Sequence, residues 1–127
     1  MNKEDYVSME VAKLLKEKGY NEPVYSQYTN HESVWYCNEP ENFNESTDCY
    51  SRPTLYEAQK WLRNKHTIYV VVSPHYSRMY DVIEHEYMIA TYFDFLEKPF
   101  KWRKSKEYYE IYEQCLNAGI LEALKLI

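Results

Sequence analysis

The side chains best suited to acid–base or metal chemistry cluster in the second half of the sequence: His75, Asp81, Glu84, His85 and Glu86. An imidazole between carboxylates can act as a general base or as a metal ligand near neutral pH. However, no HExxH or other spaced signature accompanies these residues, and Glu84-His85-Glu86 is also typical of an exposed polar turn. We therefore assign no catalytic residue and no metal site, and we expect the protein not to be an enzyme.

Cysteines and glycines offer no further chemistry. Cys37, Cys49 and Cys115 form no CxxC pair and show no local signature of a nucleophile, which is typical of ordinary reduced thiols. The only two glycines, Gly19 and Gly119, lie far apart, so the chain has no glycine-rich loop that could cradle a phosphate. This excludes nucleotide sites of the P-loop or Rossmann type, and we expect no cofactor.

A basic segment, residues 98–106, holds five bases and two aromatic residues and no acid. Bases can neutralise phosphates and aromatic rings can stack on unpaired nucleobases, so this segment is a candidate nucleic-acid contact. The candidate residues are Lys101, Trp102, Arg103 and Lys104. The net charge of -5 and the pI of 5.4 oppose this interpretation, because dedicated nucleic-acid-binding domains are usually basic. The simpler interpretation is an exposed linker that its aromatic residues anchor to the core.

An acidic segment, residues 21–50, mirrors the basic one, with six acids, no lysine and no arginine. Its aromatic residues give large contact area for little lost conformational entropy, which is typical of a protein-binding surface. The candidate residues are Tyr25, Tyr28, Trp35, Tyr36 and Tyr50. We interpret the protein as noncatalytic and acting through protein contacts, as a monomer or weak homodimer, with nucleic-acid association as the alternative. A plain acidic loop covering a sheet would explain the same residues.

Length and composition predict the scaffold that positions these residues. A chain of 127 residues with 45% apolar residues is long enough for one domain with a single core. Fifteen tyrosines, with four phenylalanines and three tryptophans, exclude intrinsic disorder. The order of the predicted elements indicates an α+β fold, in which three helices pack with an antiparallel sheet of four to six strands.

Two helices are predicted from local signals. Ser8 is suited to cap a helix over residues 8–18, which Gly19 would end. Thr54 and Glu57 form a capping box, in which each side chain bonds the backbone amide of the other residue, at the start of a second helix.

Strands are predicted from runs of β-branched and aromatic residues. Short strands are expected over 24–28 and 34–37, and a strand that is apolar on both faces over 67–73, central in its sheet. Segments 78–84 and 87–94 are interpreted as a hairpin that turns at residues 84–86.

A third helix is expected from Ser105 to the C-terminus, with Tyr108 and Gly119 on its apolar side. Because glycine weakens a helix interior, we expect Gly119 to mark a point of close packing.

No leader or membrane segment is recognisable in the sequence. Acidic residues precede any apolar run, and the longest purely apolar run, Ile68–Val72, is far shorter than the ~20 residues of a membrane helix. We therefore expect a cytoplasmic protein that does not cross a membrane.

Three segments of the chain, residues 9–23, 52–72 and 112–127, resemble a family of small uncharacterised proteins of Bacteroides-type gut bacteria, many encoded by prophages. The most distinctive matches are Pro53, Thr54, Leu55, Ala58, Trp61, Leu62 and Arg63. The resemblance implies a phage-related accessory protein and no site residue. Members usually carry a small residue and an acid where this chain has Arg52 and Asn64, and we expect both on the surface of the second helix.

Overall fold

The computed structural model describes residues 1–127. The chain forms four α-helices and six strands, which confirms the α+β class, although the strands form two antiparallel sheets of three rather than one sheet. The Cα positions divide the chain into two compact units, Met1–Ala58 and Gln59–Ile127, which are described separately below. That the chain is one domain stays a prediction.

The helices are α1 (Met9–Glu17), α2 (Leu55–His66), α3 (Tyr92–Leu96) and α4 (Tyr112–Leu124). The strands are β1 (Val24–Thr29), β2 (Val34–Glu41), β3 (Cys49–Ser51), β4 (Tyr69–Ser77), β5 (Val82–Ala90) and β6 (Arg103–Lys104). No helix combines the length and the apolar composition needed to cross a lipid bilayer.

The local helix signals are confirmed in the first unit. Ser8 caps α1 by accepting a hydrogen bond from the Val11 amide at 3.3 Å, and Gly19 follows the helix with a φ of 93°. That φ suits glycine because it has no Cβ to clash with the backbone. At the start of α2, the Thr54 amide donates to Glu57 Oε1 at 2.9 Å and the Glu57 amide donates to Thr54 Oγ1 at 3.1 Å.

The sheet of the first unit has the order β2-β1-β3, so β1 is its central strand. One face of β1 is buried through Val24, Ser26 and Tyr28, whereas the intervening residues are exposed or half-buried. Helix α1 contacts β3 and buries Val11 and Leu15. The sheet therefore has an inner face that is buried and an outer face that is open to solvent.

The second unit is built on the β4–β5 hairpin, and two strand predictions are wrong here. The strands pair over nine residues, from Tyr69 with Ala90 to Ser77 with Val82, so the chain turns at residues 78–81 and not at 84–86. The order β4-β5-β6 makes β4 an edge strand rather than a central one. Asp81 adopts a φ of 51° in the turn, a left-handed conformation that aspartate tolerates.

The prediction of one long C-terminal helix is also wrong at its start. Helix α4 begins at Tyr112, because Tyr109 forms a β-bridge with His85 and thus extends the sheet beyond β6. Tyr92–Leu96 form a short helix, α3, that the sequence pattern did not predict. A Thr91–Asp94 capping box starts α3.

Close packing at Gly119 is confirmed. Helix α4 packs against β4 and β5, and a Cβ atom added at Gly119 would lie 2.9 Å from both Tyr87 Cβ and Val70 Cγ1. These distances are shorter than van der Waals contact, so the helix can approach the sheet this closely only with glycine at this position.

Gly119→Ala should therefore destabilise the protein. Alanine normally favours a helix over glycine by about 0.5–1 kcal/mol, but here its methyl group should cost about 1–3 kcal/mol through overpacking. Urea unfolding followed by circular dichroism measures the difference. A variant more stable than the natural protein would contradict the close packing.

Candidate functional site

The five aromatic residues of the predicted protein-binding surface lie on two different faces of the first sheet. Tyr25 alternates with the buried residues of β1 and is therefore on the outer face, where it is 57% exposed. Trp35 pairs with Gln27, which is on the same outer face, and is 61% exposed. Tyr36 pairs with the buried Ser26 at the rim of the inner face but is still 63% exposed.

Tyr28 and Tyr50 belong to the inner face, so the structure removes them from the candidate surface. Tyr28 is buried, and its hydroxyl group donates a hydrogen bond to the Val7 carbonyl at 2.6 Å. Tyr50 is half-buried, and the ammonium groups of Lys13 and Lys16 lie 5.9 and 5.0 Å from its ring centroid. Both tyrosines are therefore engaged in contacts within the first unit.

Arg52 is buried, which contradicts the expectation that it lies on the surface. It is 1% exposed, and Nη1 donates hydrogen bonds to Ser26 Oγ and Tyr36 Oη, both at 3.1 Å. Its guanidinium carbon lies 3.9 Å from the centroid of the Tyr6 ring, and 5.3 and 5.6 Å from those of Tyr28 and Tyr36. Three tyrosines thus surround this cation.

No carboxylate compensates the charge of Arg52. Arg52 takes part in neither of the ion pairs Arg103–Asp94 and Lys125–Glu122, and its Nε atom has no hydrogen-bond partner. A desolvated cation gains ~2 kcal/mol or more from an aromatic ring, so the tyrosine rings and the two hydroxyl groups take the place of a counterion. One signal in the sequence points to this residue, since Arg52 is the only lysine or arginine between Lys18 and Lys60.

On the outer face, the aromatic rings have no such partners. Neither Tyr25 nor Trp35 takes part in any of the ring–ring or cation–ring contacts of the structure, which include Tyr6 with Tyr36 and Arg52 with Tyr28. Exposed aromatic residues without internal partners are typical of binding surfaces.

Strand β2 also has a free backbone edge. The Thr29 amide donates to the Ser33 carbonyl, so in the regular antiparallel ladder the backbone groups of Val34 and Tyr36 point away from β1. The regular register ends at Tyr36, and residues 37–40 form a bulge opposite Tyr25 before Glu41 pairs with Val24. The open edge is therefore confined to the aromatic part of β2.

The basic segment makes contacts within the second unit. Arg103 forms a bidentate pair with Asp94, with Nε to Oδ2 at 2.8 Å and Nη2 to Oδ1 at 3.1 Å, and these bonds lower the pKa of Asp94. The Trp102 ring lies 6.0 Å from Phe95 and 5.3 Å from Phe100, centroid to centroid. Of the four candidate nucleic-acid contacts, only Lys101 and Lys104 are exposed without an ion pair or ring contact.

The imidazoles of the acid–base cluster lie on opposite faces of the second sheet. His75 pairs with Glu84 and the adjacent Pro74 pairs with His85, and neighbouring residues of a strand point to opposite faces. His75 stacks on Tyr108 with 4.3 Å between the ring centroids, whereas His85 Nδ1 lies 3.2 Å from the Tyr109 carbonyl oxygen. The two imidazoles are therefore not arranged to act on a common substrate.

A cleft of about 400 Å³ lies in the second unit, with Tyr87, Tyr109, Lys106 and Glu122 among its lining residues. Burial, followed by the charge of Glu122, raises the pKa of Tyr87 to about 12. The lining thus combines bases, acids and protonated phenols, a mixture that selects no single class of ligand.

Comparisons with known proteins found no family model, curated protein or solved structure that matches this chain.

Tyr36→Phe should destabilise the protein, whereas Tyr25→Phe should not. Removing the Tyr36 hydroxyl takes one hydrogen-bond acceptor from the buried Arg52, a loss of about 1–2 kcal/mol, because bonds to charged groups are the stronger ones. The Tyr25 hydroxyl takes part in none of the hydrogen bonds described above, so Tyr25→Phe is the matched control. Chemical denaturation of both variants measures the difference, and equal stabilities would refute the role of the Tyr36 hydroxyl.

Stability should fall as the pH rises above about 9. Burial raises the pKa of Cys115 from 9.0 to about 11, and that of Tyr87 from 10.0 to about 12. In the unfolded chain the Cys115 thiol and the Tyr87 phenol lose their protons near pH 9 and pH 10. Between these pH values and the higher pKa values of the folded state, the folded protein binds more protons than the unfolded chain, so its stability falls as the pH rises. Urea midpoints measured across this pH range test the effect. Tyr87→Phe should reduce the slope of the urea midpoint against pH, and a midpoint of the natural protein that does not change with pH would contradict the prediction.

Proposed function

We propose that the protein is a noncatalytic protein-binding module whose contact site is the outer face and free edge of the first sheet. The site consists of Tyr25 and Trp35 on the outer face, the backbone edge of β2, and the exposed Tyr36 beside that edge at the rim of the inner face, and we call it the β2 surface. The observation that carries the proposal is the exposure of Trp35 and Tyr36, 61% and 63%, at neighbouring positions of an edge strand.

The energetics of protein interfaces support this choice. Tryptophan and tyrosine are enriched among the few residues that supply most of the binding energy, and they do so when a partner buries them in a desolvated centre. The β2 surface offers such residues on a regular strand, which loses less conformational entropy on binding than a flexible loop does. Its position next to the part-buried Arg52–Tyr36 hydrogen bond adds rigidity.

The family resemblance supports a biological setting for the proposal. It suggests an accessory protein of a phage or another mobile element that acts in the bacterial cytoplasm. An acidic, aromatic contact surface is suited to such a role, because an accessory protein acts by occupying another protein rather than by transforming a substrate.

The alternative, association with nucleic acid through residues 98–106, has weaker support. Asp94 already neutralises Arg103, and the half-buried Trp102 ring makes edge-to-face contacts with Phe95 and Phe100, so less of its surface is available to stack on nucleobases. A titration with single-stranded DNA and RNA at low salt tests this alternative, and binding that is lost on Lys101→Ala would favour it.

Affinity capture from the native host should recover a specific protein with the natural chain and lose it with Trp35→Ala. The substitution removes an exposed ring, so the fold should be retained, and circular dichroism checks this. Tyr80→Ala is the matched control, because Tyr80 is a 70% exposed aromatic residue at the turn of the β4–β5 hairpin. Capture that yields nothing above background, or that Trp35→Ala leaves unchanged, would refute the proposed function.

A further inference from the structure

We propose that the partner of the β2 surface presents an extended segment in which lysine or arginine occupies every second position. This segment adds to the free edge of β2 as a fourth strand and lays its cationic side chains over Trp35 and Tyr25. The inference rests on the proposed function and specifies the chemistry of the partner.

The β2 surface lies in the acidic part of the chain. Glu32, Glu39 and Glu41 are exposed around the aromatic part of β2, and none of them forms an ion pair. Residues 21–51 contain no lysine or arginine, and the next base, Arg52, is buried beneath Tyr36. Exposed carboxylates therefore outnumber exposed bases around the β2 surface, which favours a cationic partner and disfavours nucleic acid.

The two faces of the first sheet differ in whether their aromatic rings contact a cation of the chain. On the inner face, the tyrosine rings already contact cations of the chain, since Arg52 lies against Tyr28 and Tyr36, and Lys16 lies over Tyr50. On the outer face, the rings of Tyr25 and Trp35 can also bind a cation, but no cation of the chain contacts them. Tryptophan is the aromatic side chain that attracts cations most strongly.

The backbone groups of β2 have the direction that an added strand needs. The N–H and C=O groups of Val34 and Tyr36 point to the free edge, which is what strand addition requires. Successive side chains of an added strand point to opposite faces. Cations at every second position would thus all lie on the outer face with Trp35, while the intervening residues would lie on the face of Tyr36.

The alternation of charge in the partner follows from this geometry. A segment with consecutive bases would place half of its charges on the Tyr36 face, close to the buried guanidinium of Arg52, where like charges repel. The site therefore distinguishes an alternating basic strand from a polybasic tract.

The test uses a fluorescently labelled peptide of about ten residues that alternates lysine and valine, with fluorescence anisotropy as the readout. We expect it to bind the full chain and to bind Trp35→Ala roughly tenfold more weakly, whereas Tyr80→Ala should bind like the natural chain. Binding should weaken with added salt, because exposed charges are screened. A peptide that alternates glutamate and valine should not bind.

Two further measurements separate strand addition from simple charge attraction. N-methylation of alternate backbone nitrogens of the lysine–valine peptide, on the edge that would face β2, should abolish binding while the charge is kept. Hydrogen exchange of the Val34 and Tyr36 amides should slow when the unmodified peptide is bound. No binding of that peptide, equal binding by the natural chain and Trp35→Ala, or equal binding of the N-methylated peptide would overturn the inference.

Failure of the basic-strand inference can be distinguished from failure of the proposed function. If capture recovers a Trp35-dependent partner but the lysine–valine peptide does not bind, the β2 surface remains a protein-binding site and the basic strand is refuted. If the captured protein is lost with Trp35→Ala and its contact segment is basic and alternating, both proposals hold. If neither experiment depends on Trp35, both are refuted.

Discussion

The guanidinium group of Arg52 is the constraint on which the first unit depends. A cation removed from water is costly unless other groups replace its hydration, and here tyrosine rings and hydroxyl groups do so without a carboxylate. Backbone hydrogen bonds hold the residues around Arg52 in place as well. The Arg52 amide donates to the Ser26 carbonyl at 2.9 Å, and the Val7 amide donates to the Pro53 carbonyl at 3.1 Å. One residue thus connects β1, β2 and the N-terminal segment.

This arrangement explains part of the high tyrosine content. A phenylalanine at position 36 could supply a ring to Arg52 but no hydroxyl group to accept its hydrogen bond. At position 28, the tyrosine hydroxyl donates a hydrogen bond to the Val7 carbonyl, which phenylalanine could not do. Tyrosine supplies both groups and tolerates partial exposure, which lets Tyr36 cover the cation while most of its own surface faces solvent. The need to shield a buried charge and the presence of an exposed aromatic edge are therefore two results of one local structure.

The sequence predicted the features that depend on neighbouring residues and missed those that depend on distant ones. The Ser8 cap and the Thr54–Glu57 capping box were predicted because their partners lie three residues apart. Close packing at Gly119 was predicted because glycine is unfavourable in a helix without a steric reason. The hairpin turn at residues 78–81 was missed, since it contains no glycine and its Met79 and Tyr80 run on into Val82 and Ile83, so that the segment resembles a strand.

The candidate site shows the same limit. Composition identified the aromatic, acidic region, but only the alternation along β1 and its pairing with β2 separate the exposed Tyr25 from the buried Tyr28. Arg52 was expected on the surface of the second helix, but it precedes that helix, and its partners lie in β1, β2 and the N-terminal segment, far away along the chain. Long-range pairing, which no local pattern encodes, decides which residues reach solvent.

The bulge at residues 37–40 has a kinetic consequence for any strand that joins β2. Because the regular edge ends at Tyr36, an added strand can form only a short ladder of backbone hydrogen bonds before it meets the bulge and Pro40, which has no N–H group to donate. A short ladder gives a low barrier to dissociation, so a bound segment would exchange rapidly and its residence time would depend on the aromatic contacts. The same bulge keeps the edge too short for extended sheet growth between copies of the chain, which is how natural edge strands avoid aggregation.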